Sequence, residues 1–383
     1  MSARRPSVVV IYHFYPHYRK PVVEALARSE RADFTFVGDD HEYLHSIEPA
    51  RLDPSVRFRL APTHHVGGPF MWQWGAITWA IRPGFDTVVM HAVPHWPCTW
   101  IGGLLARMLG RRVFFWGHGY LSAPRGLKGL VRRLFYAVPT DHMVYSRLAK
   151  AHLIAAGWPP ERVHVIWNSL DTDAQALQRA KHTQERTRQV RMELFGEADT
   201  PVVICTSRLI AMRRLDLLLE AVARLREADT PANVVLVGDG PERGALQEQA
   251  RRLGVRVHFE GACYDESRLG ALIMSSNVTV SPGKTGLTAV HSIGYGVPVV
   301  SHDDPDDQGP EYEAIIPGRT GSLYRRGDVN SLAHAIRPWL GTGSVDPQVR
   351  EACIGFVERF WNPTHQRRAI ERAVCGEPAD DLF

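Results

Sequence analysis

Three short segments of this chain concentrate groups that could hold an anion. The first is Ser281-Pro282-Gly283-Lys284-Thr285-Gly286-Leu287, which follows an apolar run and opens a helical pattern. Gly283 and Gly286 permit a tight turn and a close approach of backbone to ligand. Free N–H groups and the dipole at a helix start favour negative charge there. Lys284 and Thr285 could add contacts, although the spacing is not that of a GxxxxGK[ST] loop. The second segment runs from Thr206 to Arg214, again straight after an apolar run. Arg208 and Arg213 could converge there on a diphosphate, because a guanidinium matches phosphate geometry. The third is Leu236-Val-Gly238-Asp239-Gly240-Pro-Glu242, where the glycines shape a turn and Asp239 could cap a helix.

Two further segments lie in the N-terminal half. Trp116-Gly117-His118-Gly119 exposes an imidazole between glycines, suited to act as acid, base or hydrogen-bond partner near neutral pH. His13-Phe-Tyr-Pro-His-Tyr18-Arg19 follows the first apolar run and offers Tyr18 and Arg19 as ligand contacts. Each segment has a plainer reading as a structural turn, a surface arginine or a packed histidine.

The elements that must position these residues alternate in type. Apolar runs at Val8–Val10, Phe34–Val37, Thr87–Met90, Val113–Trp116, Met143–Tyr145 and Val163–Ile166 read as strands, with helical patterns between several of them. Residues 171–200 are polar and read as an interdomain connection with a helical portion. Alternation resumes with strands at Val202–Cys205, Asn233–Val237, Val257–Phe259, Val278–Val280 and Val297–Val300. Strands alternating with helices imply parallel sheets covered on both faces. Two such doubly wound units in tandem place a cleft between them, and ligands bind outside the carboxyl ends of the strands.

Composition narrows the partners. The five cysteines, at 98, 205, 263, 353 and 375, form no CxxC pair, which argues against a disulfide framework or a zinc site and fits a reducing compartment. The apolar run Val8–Ile11 is too short for a signal peptide, and no run is long enough to span a bilayer. Residues 1–150 carry 19 basic and 10 acidic residues, whereas the rest carries 26 and 31. A basic N-terminal half could face an anionic acceptor or a membrane surface. The segment from Arg125 to Phe135 mixes basic and apolar residues in the manner of a surface-lying helix, and Trp72, Trp74 and Trp79 could belong to an acceptor groove. No nucleic-acid-binding module is present.

Taken in order, these segments resemble the GT-B glycosyltransferases, specifically glycosyltransferase family four, the glycosyl transferases group 1. The matching pieces are HFYPHYRKP, VHVIWNSLD, TSRLIAMRRLDLLLEA, VVLVGDGPER, FEGACYDESRL and SPGKTGLTAVHSIGYGVPVV. The resemblance implies two Rossmann-like domains facing across a cleft: an acceptor domain over 1–175, a donor domain over 176–355, and a helical tail over 356–383 packing back on the first. It implies a retaining, metal-independent transfer from a nucleotide-diphosphate sugar to a sugar, lipid-linked or small-molecule acceptor. No cofactor is implied beyond that donor, and a cytoplasmic setting with peripheral contact at the inner membrane face is expected. Arg208 stands at the family's phosphate-binding arginine and Arg213 at its usual lysine. Gly283, Lys284, Thr285, Gly286 and Leu287 stand where donor phosphates bind, with Gly238, Tyr18 and Arg19 as further donor contacts. His118 matches a histidine beside the transferred sugar.

The chain departs from the family at one point. Two glutamates eight positions apart, the first on the donor sugar and the second on the ribose, are here Gly283 and His291. A histidine cannot accept two hydroxyl hydrogen bonds as a carboxylate does. Glu311, in the downstream stretch Gln308-Gly-Pro-Glu311-Tyr-Glu313, is expected to approach the donor in partial replacement. The competing readings are a sugar-nucleotide epimerase on the same fold and a non-catalytic nucleotide-sugar binding protein.

Overall fold

The computed structural model describes residues 4–41, 47–120, 126–341 and 343–378. The chain forms two compact units, Met1–Leu170 with Asn362–Phe383, and Asp171–Trp361.

The first unit is built on a seven-stranded sheet. Its strands are β1 (Ser7–Phe14), β2 (Asp33–Asp39), β3 (Phe58–Leu60), β6 (Thr87–His91), β7 (Arg112–Gly117), β8 (Asp141–Val144) and β9 (Val163–Val165). Their order is β3-β2-β1-β6-β7-β8-β9, and every pairing is parallel. Val8, Val9, Val10 and Ile11 are buried in succession. A strand covered on both faces needs such an unbroken apolar run, and this is why it was legible without alternation. An antiparallel hairpin, β4 (Thr63–Gly67) with β5 (Phe70–Gln73), interrupts the alternation. The C-terminal helix Pro363–Val374 belongs to this unit, where Ile370, Ala373 and Val374 share a core with Val22, Val23 and Leu26 of the Lys20–Ala27 helix. Gln366 ties it down, donating to the Trp167 carbonyl at 2.7 Å and accepting from Ser169 Oγ at 2.7 Å.

The second unit holds a six-stranded parallel sheet: β10 (Val202–Thr206), β11 (Asn233–Val237), β12 (Val257–Gly261), β13 (Val278–Ser281), β14 (Val299–His302) and β15 (Gly321–Tyr324), in the order β12-β11-β10-β13-β14-β15. The polar stretch after Leu170 is two helices of this unit rather than an open connection. Asp171 caps Thr172–Lys181, Thr183 caps Gln184–Phe195, and Gly196 ends the second in the left-handed conformation. Val190 and Phe195 enter the core, and buried Arg191 donates to Ser275 O at 2.8 Å and Asn277 Oδ1 at 2.8 Å. Few apolar positions anchor these helices, so their composition reads as solvent-facing.

In both sheets the strand order reverses beside the first strand. The reversal lies between β1 and β6 in the first unit and between β10 and β13 in the second. A crevice opens at such a switch point outside the carboxyl ends of the strands. The loops that follow these four strands carry most of the chemistry-bearing residues.

Candidate functional site

In the second unit, the loops after β10 and β13 enclose a cavity of about 180 Å³. Thr206, Ser207, Arg213 and residues 281–288 line it. The Leu287–Gly294 helix begins at this cavity, with Gly286 as its N-cap. The N–H groups of a first turn have no partner four residues back, so they face outward as donors.

The loop's shape is held from three sides. Gly283 N donates to Arg213 O at 3.0 Å, and the Arg213 guanidinium returns a bond through Nη1 to the Lys284 carbonyl. A Cβ on Gly283 would stand 2.4 Å from the Met212 carbonyl oxygen, so this position accepts glycine only. Thr285 N donates to Gln308 Oε1 at 2.8 Å, while Gln308 Nε2 donates to Ser301 Oγ and His302 O at 2.9 Å each. Thr288 Oγ1 donates to Thr206 O at 3.2 Å, closing the gap between the two loops.

Charge in this cavity is one-sided, because no carboxylate among the described residues lines it. The half-buried Lys284 and the exposed Arg208 have side chains that pair with no acid among the described residues. Arg213 Nε and Thr285 Oγ1 are buried without a partner. A cation, N–H donors and a hydroxyl around an acid-free cavity suit a phosphate or diphosphate.

Gly238 is not among the residues that line this cavity. A Cβ there would stand 2.0 Å from Ser207 O, so its bare backbone lets the 206–209 loop pack against the end of β11. Glu311 is 4 % exposed in the turn Pro310–Ala314. Its Oε2 is 4.0 Å from where a Cβ of Gly286 would stand, and Gly309 N donates to Thr285 O at 3.2 Å. The structure thus brings Glu311 beside the start of the Leu287–Gly294 helix. His291 lies one turn along that helix. Its Nε2 bonds Glu266 Oε1 at 2.8 Å, and Tyr295 OH donates to the same oxygen at 2.5 Å. A carboxylate therefore stands beside position 291 after all, contributed by the Glu266–Met274 helix. Sequence reasoning missed Glu266, and the only available signal was the acidic start of that helix after Asp265.

The first unit places His118, Tyr18 and Arg19 together at the carboxyl end of its sheet. His118 is exposed between Gly117, packed against Ala92, and Gly119 at φ +64, whose carbonyl accepts from Tyr136 OH at 2.9 Å. Its ring lies 5.1 Å from that of Tyr145. Arg19 donates through Nη2 to Tyr145 OH. Tyr18 is half-buried, 6.0 Å from the Arg19 guanidinium.

Comparison with known proteins assigns this architecture. Residues 200–341 match the family model described as glycosyl transferases group 1. A GDP-mannose-dependent alpha-(1-6)-phosphatidylinositol monomannoside mannosyltransferase of Mycolicibacterium smegmatis is 27% identical over 281 residues, 69% of each chain. The lipopolysaccharide core biosynthesis glycosyltransferase LpsE of Rhizobium meliloti is 30% identical over 223 residues, 57% of this chain and 59% of that protein. The solved structure of Anabaena Alr3699/HepE in complex with UDP superposes with a TM-score of 0.68 at 17% identity, covering 95% of this chain and 98% of that one. The chain carries a glycosyl transferases group 1 domain over residues 200–341 and is a glycosyltransferase of the GT-B fold.

Proposed function

We propose that the chain moves a sugar from a nucleotide-diphosphate sugar to an acceptor hydroxyl, with retention and without a divalent metal. The observation that carries this reading is the cavity at the start of the Leu287–Gly294 helix, bordered by Arg213 and Lys284 and lined by no carboxylate among the described residues. As the glycosidic bond breaks, negative charge grows on the leaving diphosphate. Fixed cations and N–H dipoles stabilise that charge without reorganising. Arg208, Arg213, Lys284 and the first-turn N–H groups take this role, which a metal ion fills elsewhere. The names of the mannosyltransferase relative and of the UDP-bound structure support a nucleotide donor. His118 serves as hydrogen-bond partner of the transferred sugar. The test is a thermal-shift series over nucleoside diphosphates, joined to a transfer assay whose product anomer is read by NMR. Binding to the folded state raises its melting temperature. No stabilisation by any nucleoside diphosphate defeats the reading, and an inverted product defeats retention alone.

The acceptor side is proposed to work at an anionic bilayer surface. Among the described residues no helix is long and apolar enough to cross a membrane. The Gly126–Tyr136 helix turns Phe135 inward against Phe115 and leaves Leu127, Leu130, Val131 and Leu134 exposed beside Lys128 and Arg133. Arg125, at the start of the basic segment, lies outside the described residues. The preceding helix, Pro97–Met108, exposes Ile101, Leu104 and Met108. Apolar side chains flanked by cations suit a helix lying in the headgroup layer. Names of the relatives include lipid-linked and lipopolysaccharide acceptors, which favours the same setting. Sedimentation with anionic vesicles should be strong at low salt and weak at high salt, and binding indifferent to lipid charge contradicts it.

A further inference from the structure

Arg19 is a charged side chain with only 7 % exposure. Its guanidinium lies 5.3 Å from the Tyr12 ring, 5.2 Å from Trp116 and 5.2 Å from Tyr145. Aromatic faces compensate a cation partly, but they offer its N–H groups no acceptor along the bond directions. Among the described residues the one hydrogen bond of the guanidinium is to Tyr145 OH, and Nε is buried without a partner. No carboxylate among the described residues pairs with it. A buried, unpaired charge is costly, and it persists where a ligand completes it.

Its surroundings are basic too. The rings of His13, at the end of β1, and His91, at the end of β6, stack at 4.6 Å. Burial holds the His91 imidazole well below its ordinary range, and the neighbouring His13, Arg19 and His118 push it the same way. Four nitrogen-bearing side chains from the ends of β1, β6 and β7 thus cluster at the switch point of the first sheet, where an α/β unit takes its ligand. Donors arriving from several strand ends match the oxygens of a tetrahedral anion better than a planar carboxylate, which one guanidinium satisfies alone.

We propose that Arg19 anchors a phosphate group of the acceptor, either a phosphomonoester or a phosphodiester, at the carboxyl edge of the first unit. The proposal rests on the reading of the chain as a nucleotide-sugar transferase and gives its acceptor a chemical class. It also separates Arg19 from the donor, with which the family resemblance grouped it.

The test uses the full chain, saturated with the nucleoside diphosphate that stabilises it best, so that the Gly283–Leu287 loop is filled. Calorimetric titration at constant ionic strength then adds inorganic phosphate in one arm and glycerophosphoglycerol, a soluble phosphodiester, in the other. The wild type is expected to bind at least one of them, and the arm that binds names the ester. Arg19→Gln should weaken that binding about tenfold or more, the loss expected for a charge-assisted contact, and leave nucleoside diphosphate affinity in place. Tyr145→Phe keeps the charge but frees the guanidinium, and should weaken phosphate binding by a smaller factor; this variant decides the matter if Arg19→Gln does not fold. Absence of binding in both arms, or unchanged affinity in the variants, overturns the proposal. So does a loss of nucleoside diphosphate affinity in Arg19→Gln, which returns Arg19 to the donor. If the wild type binds no nucleoside diphosphate, the transferase reading fails instead, and the phosphate titration is run on the unloaded Arg213→Ala variant.

Discussion

Arg213 donates from its guanidinium to the carbonyl oxygen of Lys284, while its own carbonyl accepts from Gly283 N at 3.0 Å. One residue therefore both charges the cavity and fixes the loop that lines it. Arg213→Ala removes the cation and releases the loop. Turnover is expected to fall on the order of a hundredfold or more, the loss seen when a preorganised stabilising donor is removed. Lys284→Ala removes charge without opening the loop and should cost less. Steady-state kinetics of both variants check the order, and equal effects would place the loop's shape outside the argument.

The carboxylate that the family resemblance leads one to expect at position 283 cannot be restored by substitution. A Cβ there meets the Met212 carbonyl at 2.4 Å and the Arg213 backbone at 3.0 Å. Gly283→Glu is therefore expected to lower the melting temperature and to reduce nucleoside diphosphate binding together. A variant that binds normally and melts like the wild type would show that the Ala211–Arg213 turn yields freely.

What was legible in the sequence was what local patterning encodes. Val202–Thr206 and Val278–Ser281 are buried on both faces and stand out as apolar runs, and the glycines after β13 mark its turn. β15 escaped notice because Gly321-Ser-Leu-Tyr324 is short and half polar. The β4–β5 hairpin, rich in His and Trp, lacks the apolar alternation of a half-buried ribbon. In the site, Arg213 and the 283–287 loop were readable as neighbours of strand ends. Gln308 and Glu266 were not. Each acts on a residue more than twenty positions away, Thr285 and His291 respectively, and only the folded sheet sets that distance.

The pairing of His291 with Glu266 suggests a substitute for the ribose carboxylate expected at position 291. Glu266→Gln keeps the size of the side chain and removes its charge, so one strong acceptor for hydroxyl groups is lost. Nucleoside diphosphate affinity should fall several-fold, as for loss of a hydrogen bond to a charged group, while inorganic pyrophosphate affinity holds. Isothermal titration of the two ligands separates these outcomes. An equal fall for both would assign Glu266 to the shape of the loop rather than to the ribose.

Acid stability depends on a residue far from the chemistry. His142 is fully buried in β8, with its ring edge-on to Trp158 at 4.3 Å. Burial pushes its imidazole down to about 3 from the ordinary value of 6.5, against a weaker upward pull from Asp141. The folded state therefore holds His142 neutral, whereas the unfolded chain takes up a proton once the pH falls below 6.5. Its stabilising contribution is full above that pH and is lost as the pH falls towards 3, at about 1.4 kcal/mol per pH unit for a single proton. His142→Phe preserves an aromatic ring in the slot and removes the titration. Urea unfolding at neutral pH and at pH near 5 should show a smaller acid-induced loss in the variant than in the wild type. Other histidines, among them half-buried His182, held at about 4 chiefly by burial, keep some acid dependence in both. Parallel losses in the two proteins would mean that His142 is reached by water, and protonated, without unfolding.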